Sequence, residues 1–325
     1  MSAAEELRRL IVGQQVSQAV CVAAELGVAD LLVSGPRTSE ELARATRTDV
    51  DALYRLLRAL ASIGILHEEE GCRFGLAELG EPLRSDASDS VAAIAVHVGR
   101  PYVRAAWSAL TESVRTGENA FRHVHGTSIW EYRASRPEDN AIFDRYIAAN
   151  TRRGTHALLE VYDFGRFRSI VDVGGGNGSF LTALRVRHPS IHGILFDQEH
   201  VVHDLELGEG IEVAAGSFFD AVPGGADAYV LKWILHDWEN EQALAILRTV
   251  RSSGGRVLVI ERLVGPPNEG PEAKFADLNM LVGPGGRERT LDEYEALLAA
   301  AAYRLVDATP SSAGLFVLEG EPSSH

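Results

Sequence analysis

His236, Glu261 and Glu288 are the residues of this chain whose types and placement could move a proton. His236 follows the apolar run Ala228–Leu231 and the segment Lys232-Trp233-Ile234-Leu235, and a helical pattern starts just after it at Asp237 or Glu239. Glu261 directly ends the run Val257-Leu258-Val259-Ile260. Glu288 stands in the glycine-rich segment Pro284-Gly285-Gly286-Arg287-Glu288-Arg289-Thr290, before the helical pattern Leu291–Ala301. An imidazole titrates at roughly 6.5, which suits proton transfer near neutral pH. A carboxylate against one ring nitrogen fixes the tautomer and leaves the other nitrogen as a base. One histidine and two glutamates brought together would make a general-base site. No metal set is expected: the eleven histidines lack H-x₃-H spacing with a matching acid, and Cys21 and Cys72 have no ligand spacing.

A second group of residues could hold a ligand. Residues 170–178 read Ile-Val-Asp-Val-Gly-Gly-Gly-Asn-Gly, an apolar run collapsing into glycines. That pattern predicts a buried parallel strand, a tight turn at Gly174, Gly176 and Gly178, and a helix over Ser179–Arg187 whose free N–H groups face the same spot. Asp197 ends the next run, 19 residues after Gly178, close to the roughly 20-residue spacing at which an acid meets ribose hydroxyls. The other reading of Asp197 is a helix cap. A nicotinamide dinucleotide site, G-x-G-x-x-G, requires glycine where Ser179 stands; the spacing here is G-x-G-x-G, which turns the reading toward another adenosine ligand. Gly216-Ser217-Phe218-Phe219 after the third run offers a ring on which adenine could stack and a hydroxyl; a turn followed by a core phenylalanine suits it equally.

The elements that must position these groups alternate. Apolar runs recur at Ser169–Val173, Ile191–Phe196, Ile211–Ala215, Ala228–Leu231, Arg256–Ile260, Arg304–Ala308 and Leu315–Leu318, with helical patterns such as Phe180–Val186 and Glu239–Val250 between the early ones. Such alternation predicts an α/β fold, a doubly wound and mostly parallel sheet closed by an antiparallel hairpin, with ligands outside the C-terminal strand ends. Residues 1–88 read differently. Helix starts at Thr38-Ser39-Glu40-Glu41 and Thr48-Asp49, a periodic helix through Val50, Leu53, Leu56, Leu57, Leu60 and Ile63, and a small hairpin from Ile65 to Phe74 make a winged-helix pattern. Its second helix carries only Arg55 and Arg58 as bases, so a scaffold or dimerisation role is expected in preference to DNA reading. Residues 89–165 form a helical connector rich in aromatics, among them Tyr102, Trp107, Phe121, Trp130, Tyr132, Phe143 and Tyr146. Residues 166–325 form the ligand-binding α/β domain.

The 325 residues carry 31 basic and 46 acidic side chains, a net charge of −15. A surface of that sign repels phosphate backbones, so no nucleic-acid partner is expected. The chain has no run of the roughly 20 apolar residues that a membrane span needs and no basic-then-apolar leader. Two cysteines in no pattern suit a reducing compartment, and a cytoplasmic location is expected.

Five stretches together resemble a known family: residues 171–178, Phe196-Asp197-Gln198-Glu199-His200-Val201, residues 216–219, Lys232-Trp233-Ile234-Leu235-His236-Asp237-Trp238 and Gly285-Gly286-Arg287-Glu288-Arg289-Thr290. In that order and spacing the chain resembles, over nearly its whole length, the caffeic-acid-type O-methyltransferases, S-adenosylmethionine-dependent enzymes of plants and of bacterial natural-product and antibiotic pathways. The resemblance implies a Rossmann-like class I methyltransferase domain and an N-terminal winged-helix part serving homodimerisation. It implies that Asp172, Gly174, Gly176, Gly178, Asp197, Gln198, Ser217, Phe218, Lys232 and Trp233 bind the cofactor. His236 would be the general base, with Glu261 and Glu288 around it. A small aromatic or polyketide-type acceptor with a hydroxyl, phenolic in the favoured reading, would meet Trp107, Trp130, Phe143, Tyr146, Ile147, Asn150, Asp237 and Met280. The family usually has Asp where Ser217 stands, so the adenine contact is expected to be weaker or to use water. Arg133 and Asp139 replace pocket residues of the plant enzymes, so the plant acceptors do not carry over. Two other readings stay open: an enzyme using the bound cofactor for hydroxylation or pericyclic chemistry, and a cofactor-sensing winged-helix regulator.

Overall fold

A computed structural model describes residues 2–323, apart from the side chain of Arg153. The chain divides into two compact units, one of residues 1–105 and 133–149 and one of residues 106–132 and 150–325.

The first unit is built from helices and a small sheet. Its N-terminal helix, Ala3–Glu25, begins in a capping box between Ser2 and Glu5. The helix Ser39–Thr46 begins in a second box between Thr38 and Glu41. Asp49 caps the helix Val50–Ala61 by accepting the Ala52 N–H. Each cap satisfies donors that the first helical turn leaves unpaired. On Val50–Ala61 the stripe Leu53, Leu57 and Leu60 is buried, whereas Val50 and the nearby Ile63 are exposed. Strands β2 (Leu66–Glu69) and β3 (Arg73–Leu76) form the expected hairpin, and a two-residue strand β1 (Arg37–Thr38) pairs with β3 on its other side. So short a strand leaves no periodic trace in the sequence. Along Ala3–Glu25, Leu7, Leu10 and Ile11 are exposed apolar side chains.

The connector residues of this unit form an aromatic cluster around His97. The imidazole is 7% exposed and stacks on Tyr146 with centroids 4.6 Å apart, beside Phe143 at 5.5 Å and Tyr102 at 6.2 Å. The Arg133 guanidinium lies 3.4 Å from the Phe143 ring centre, and Arg100 pairs with Asp139 at 2.9 Å. Ile147 is partly buried on the same helix, Pro137–Val161. Phe143, Tyr146 and Ile147, expected as acceptor contacts, thus stand in this unit.

The second unit is the α/β part. Its strands are β4 (Ser169–Val173), β5 (His192–Asp197), β6 (Ile211–Ala215), β7 (Ala228–Lys232), β8 (Arg256–Glu261), β9 (Tyr303–Pro310) and β10 (Phe316–Pro322). They make one sheet in the order β6-β5-β4-β7-β8-β10-β9, parallel through β8 and antiparallel in β10 and β9. The order reverses between β4 and β7, where doubly wound sheets open a ligand crevice at the carboxyl ends. Alternate strand residues serve the two faces. Val171, Val173, Leu231, Val257 and Val259 pack with Ala243, Ile246, Leu247 and Val250 of the helix Asn240–Ser252. Ile170, Ala228, Val230, Leu258 and Ile260 pack with Phe180, Leu181 and Leu184 of the helix Ser179–Arg187. Burial on both faces explains why these strands read as unbroken apolar runs; each such side chain contributes roughly 1.5–3 kcal/mol.

One helix leaves no periodic signal in the sequence. The helix Pro271–Val282 exposes Phe275 yet buries Met280 and Val282, so no single apolar stripe announces it. Among the described residues no helix is long and apolar enough to cross a membrane.

Burial, aided by the Arg133 charge, pushes the His97 imidazole down to about 3. The native state therefore keeps it neutral while the unfolded chain binds a proton below roughly 6.5. Stability is then unaffected above that pH and falls as pH drops from it toward 3, by up to about 1.4 kcal/mol per pH unit. Melting temperatures recorded between pH 7 and pH 4 should fall less steeply in His97→Phe than in the unaltered chain; equal slopes would remove His97 as the cause.

Candidate active site

The parallel register of β7 and β8 decides where the chemistry gathers. Lys232 pairs with Ile260, so Glu261 stands one position beyond, level with the residues that leave β7. The chain exits through Trp233, a non-glycine residue with φ 56°. Left-handed backbone at a bulky residue is strained and persists where surrounding structure holds it. Here the Trp233 N–H donates to the Ile260 carbonyl at 3.1 Å. A short 3₁₀ turn, Leu235–Asp237, then carries His236.

Three carboxylates surround the imidazole. Glu261, fully buried, accepts the Ile234 and His236 N–H groups on Oε1 at 3.1 and 3.3 Å. Its Oε2 lies 3.5 Å from His236 Nδ1. Glu288, 4% exposed, approaches the same Nδ1 through Oε1 at 3.1 Å. On the other side, Nε2 faces Asp237 Oδ1 at 3.6 Å. Burial opposes a charged imidazole, but Glu261, Asp237 and Glu288 together outweigh it and push His236 up to about 10. Burial in turn pushes Glu261 up to about 7 against the pull of His236. The two glutamates expected beside His236 are thus both there, and Asp237, expected at the acceptor, also faces the ring.

The fold brings together a set that the sequence spacing does not show. His236, Glu261 and Glu288 offer donor atoms all within 4.8 Å of one another. Residues 236, 261 and 288 come from two strand ends and a loop, so sequence spacing is blind to the set. Together they form a one-histidine, two-carboxylate cluster of a kind that can take a divalent ion.

The glycine loop follows β4 as expected. Gly174, Gly176 and Gly178 have φ of 71°, 59° and 73°, and the Gly178 turn starts the helix Ser179–Arg187. No atom lies within 4 Å of where a Cβ on Gly176 would project, whereas one on Gly174 would meet Ile234 and Phe218. Asp197 accepts the Gly176 N–H on Oδ2 at 2.9 Å and the Gln198 N–H on Oδ1 at 2.7 Å. Its carboxylate therefore orders the loop, with remaining lone pairs for a ligand. Gln198 is the exposed residue preceding the helix Glu199–Val202. Asp172 lies in β4 at 1% exposure, and its Oδ2 has no hydrogen-bond partner. Burial pushes Asp172 up to about 7, against Lys232. Burial likewise brings Lys232 down to about 8 against the pull of Asp172; its Nζ sits 3.2 Å from Thr151 Oγ1 and 3.7 Å from the centre of the Trp233 ring. Trp233 Nε1 is buried without a partner. Ser217 Oγ accepts the Phe219 N–H at 3.2 Å, and Phe218 meets Phe219 and Trp238 edge-on at 5.0 and 6.0 Å.

Several acceptor candidates share this unit. Trp107 Nε1 donates to Asn279 Oδ1 at 3.2 Å on the helix that also carries Met280. Met280 is buried, Asn150 half-buried and Trp130 37% exposed. Arg289, which the sequence marks only as part of the Gly285–Thr290 motif, is a fully buried arginine behind the His236 turn. Asp277, unmentioned by sequence reasoning, accepts the Glu288 N–H at 3.0 Å. A separate hollow of about 600 Å³ lies at the amino ends of β4, β7 and β8, lined by Arg166, Arg168, Asp227 and Arg256, and contains none of these residues.

Similarity to known proteins now bears on the site. The O-methyltransferase domain profile matches residues 107–304, and the O-methyltransferase dimerisation domain matches residues 9–85. The phenazine O-methyltransferase of Lysobacter antibioticus is 38% identical over 97% of this chain and 95% of its own length. The 8-amino-8-demethylriboflavin N,N-dimethyltransferase of Streptomyces davaonensis is 36% identical over 98% of this chain and 95% of its own. In three dimensions the mitomycin 7-O-methyltransferase superposes with a TM-score of 0.93 at 33% identity, covering 99% of this chain and 98% of that one. An O-methyltransferase from neocarzinostatin biosynthesis, solved with S-adenosyl-L-homocysteine and 1,4-dihydroxy-2-naphthoic acid, superposes with a TM-score of 0.80 at 35% identity, covering 94% and 96%. A strand-end glycine loop with an acid at its rim, a histidine between carboxylates and these matches lead to one conclusion: the chain belongs to the S-adenosylmethionine-dependent O-methyltransferase family.

Proposed function

We propose that the chain methylates a hydroxyl of a small planar aromatic natural product and that His236 is its general base. The observation that carries this reading is the imidazole of His236 with Nδ1 3.1 Å from Glu288 and 3.5 Å from Glu261. Those carboxylates keep a proton on Nδ1, so Nε2 is the atom that takes the acceptor proton, and the resulting imidazolium is stabilised where it forms. Residues 1–88 serve homodimerisation, with the exposed Leu7, Leu10 and Ile11 in keeping with a covered helix face. Residues 89–165 contribute to acceptor binding and residues 166–325 bind the cofactor.

Whether the binding residues suit S-adenosylmethionine can be judged from the residues themselves. The buried Asp172 Oδ2 and Trp233 Nε1 lack partners, and the space off Gly176 is open; a ligand carrying polar donors and acceptors fits both facts. Asp172, Asp197 and the loop Gly174, Gly176 and Gly178 would hold its charged and ribose parts, with Gln198, Ser217, Phe218, Lys232 and Trp233 around the remainder. When bound, S-adenosylmethionine supplies an electrophilic methyl carbon. The protein's work is then to orient the acceptor, through Trp107, Trp130, Asn150, Asp237 and Met280, and to remove one proton.

A second reading has a specific support, the 36% identical relative that dimethylates an amine. An arylamine also sheds a proton on methylation, and the same imidazole would serve it. The probe 3-amino-4-hydroxybenzoate presents both groups, and mass-spectrometric fragmentation of its methylated product decides between them.

On that probe or on 1,4-dihydroxy-2-naphthoic acid, His236→Ala should lose about 10²–10⁴ in kcat while binding S-adenosylhomocysteine as before. Near-normal turnover would sink the general-base assignment. The pH dependence has a definite sign. Because a base must be neutral, the rate climbs with pH until His236 has lost its proton, with the kcat/KM limb near 10 in the free enzyme. Binding of a cation beside the ring disfavours the imidazolium, so the kcat limb should lie lower. Both limbs should vanish from the residual rate of His236→Ala. Finally, since His236 acts here through its proton and not as a metal ligand, dialysis against EDTA should leave turnover unchanged; a loss restored by zinc or another divalent ion would assign the cluster to a metal instead.

A further inference from the structure

Arg289 is the largest side chain with less than 2% exposure in the described structure. Its guanidinium points at backbone. Nη1 donates to the Leu235 carbonyl at 2.8 Å and to the Arg287 carbonyl at 3.3 Å. Nη2 donates to the Trp238 carbonyl at 2.7 Å, and Nε to Asn240 Oδ1 at 3.0 Å. Leu235 and Trp238 are the residues that bracket His236 and Asp237. Among the described residues no carboxylate lies within ion-pair distance of this guanidinium, so carbonyls and one side-chain amide satisfy the buried charge. A buried cation held without a counter-ion is costly unless each donor is placed, and an apolar residue would fill the same volume without that cost. A role in volume alone does not explain an arginine here.

The backbone on either side of Glu288 is tied to the same turn. The Arg287 N–H donates to the His236 carbonyl at 2.8 Å. Gly286 permits this approach, since a Cβ there would stand 2.1 Å from that carbonyl oxygen. The Arg289 carbonyl accepts the Val264 N–H at 2.9 Å. Glu288 is therefore flanked by one residue pinned to His236 through its main chain and another pinned to the His236 turn through its side chain.

We propose that Arg289 is a positioning residue for the general base: its fork locks the turn Leu235–Trp238 to the loop 286–289 and so sets the alignment of the His236 imidazole with the Glu288 carboxylate. The inference rests on the reading of His236 as the base. Lysine would retain the charge but not the fork, because an ammonium cannot address three carbonyls and an amide from one planar group. The charged and titratable groups around His236 are Glu261 from β8, Glu288 and Arg289 from the loop, Asp237 from its own turn, Tyr294 from the helix Leu291–Ala300, and Asp277 behind Glu288.

The test is an NMR titration of the full chain labelled on histidine, with His236→Ala supplying the assignment. If Arg289 acts as a positioning residue, Arg289→Lys and Arg289→Met should both move the His236 midpoint down by about one pH unit, a tenfold loss of proton affinity. S-adenosylhomocysteine affinity, measured by calorimetry, should stay within about threefold, since Arg289 contacts none of the glycine-loop residues. A residue acting through charge alone gives the opposite pattern: no shift with lysine and an upward shift with methionine. Should either Arg289 variant fail to fold, Asn240→Ala, which removes only the Nε partner, should lower the midpoint by a smaller amount. An unaltered or raised midpoint in the folded variants overturns the proposal. Turnover of His236→Ala on 3-amino-4-hydroxybenzoate separates the two readings: loss there with an unmoved midpoint in Arg289→Lys leaves the base standing and removes only the positioning role.

Discussion

Burying charge around His236 is the constraint to which the neighbouring structure answers. Glu261 and Glu288 lie almost wholly out of water beside an imidazole only 12% exposed, and each ion so placed costs several kcal/mol unless it is paired and hydrogen-bonded. The compensation is spread over separate elements. The Ile234 and His236 N–H groups serve Glu261, and the imidazole stands between both glutamates. The left-handed Trp233 lets the chain leave β7 and turn back over the end of β8. Arg289 ties down the His236 turn from behind, holding carbonyls rather than carboxylates. Removing any one of these leaves a buried group unpaired, which costs more than the lost contact.

The same low-dielectric economy governs the other half of the site. Asp172 and Lys232 sit at the ends of neighbouring strands β4 and β7, and burial pushes both toward their neutral forms. Groups poised in that way respond strongly to an incoming charged ligand, because a small change in solvation or charge alters their ionisation. The reversal of strand order between β4 and β7 places these residues where the sheet opens. Binding and proton removal thus depend on one feature, the parallel register of β4, β7 and β8, which sets Asp172 beside Val230 and brings Lys232 and Glu261 successively to the carboxyl edge.

Much of this was legible from residue order. The run at 169–173 is a strand over those residues, and β7 and β8 extend theirs by a single position, because strands covered on both faces must be apolar throughout; the run at 211–215 is likewise a strand, though it lies at the sheet edge and is largely exposed. Thr38 and Asp49 announced helix starts through capping chemistry that acts within four residues. Signals that act over longer range were silent. The helix Pro271–Val282 buries scattered positions against several neighbours and has no stripe. His97 gives no signal in the sequence, because its burial rests on a ring stack with Tyr146 from a distant segment. Phe143, Tyr146 and Ile147 stand in one unit and Trp107 and Met280 in the other, a division that no local pattern announces.

Local chemistry, then, was the sequence's to determine: the alternation that makes a doubly wound sheet, the glycines that turn after β4, the acid that ends β5 and the histidine beyond β7. Each depends on spacings of a few residues, over which backbone sterics and hydrogen bonding are decided by neighbours in the chain. Tertiary structure alone decided that residues 236, 261 and 288 meet within 4.8 Å, that Asp197 spends its carboxylate on the glycine loop, and that Arg289 faces main-chain carbonyls. Those outcomes follow from strand register and loop docking between segments 21 to 54 residues apart, where no periodicity in the sequence records which side chains will share a buried volume.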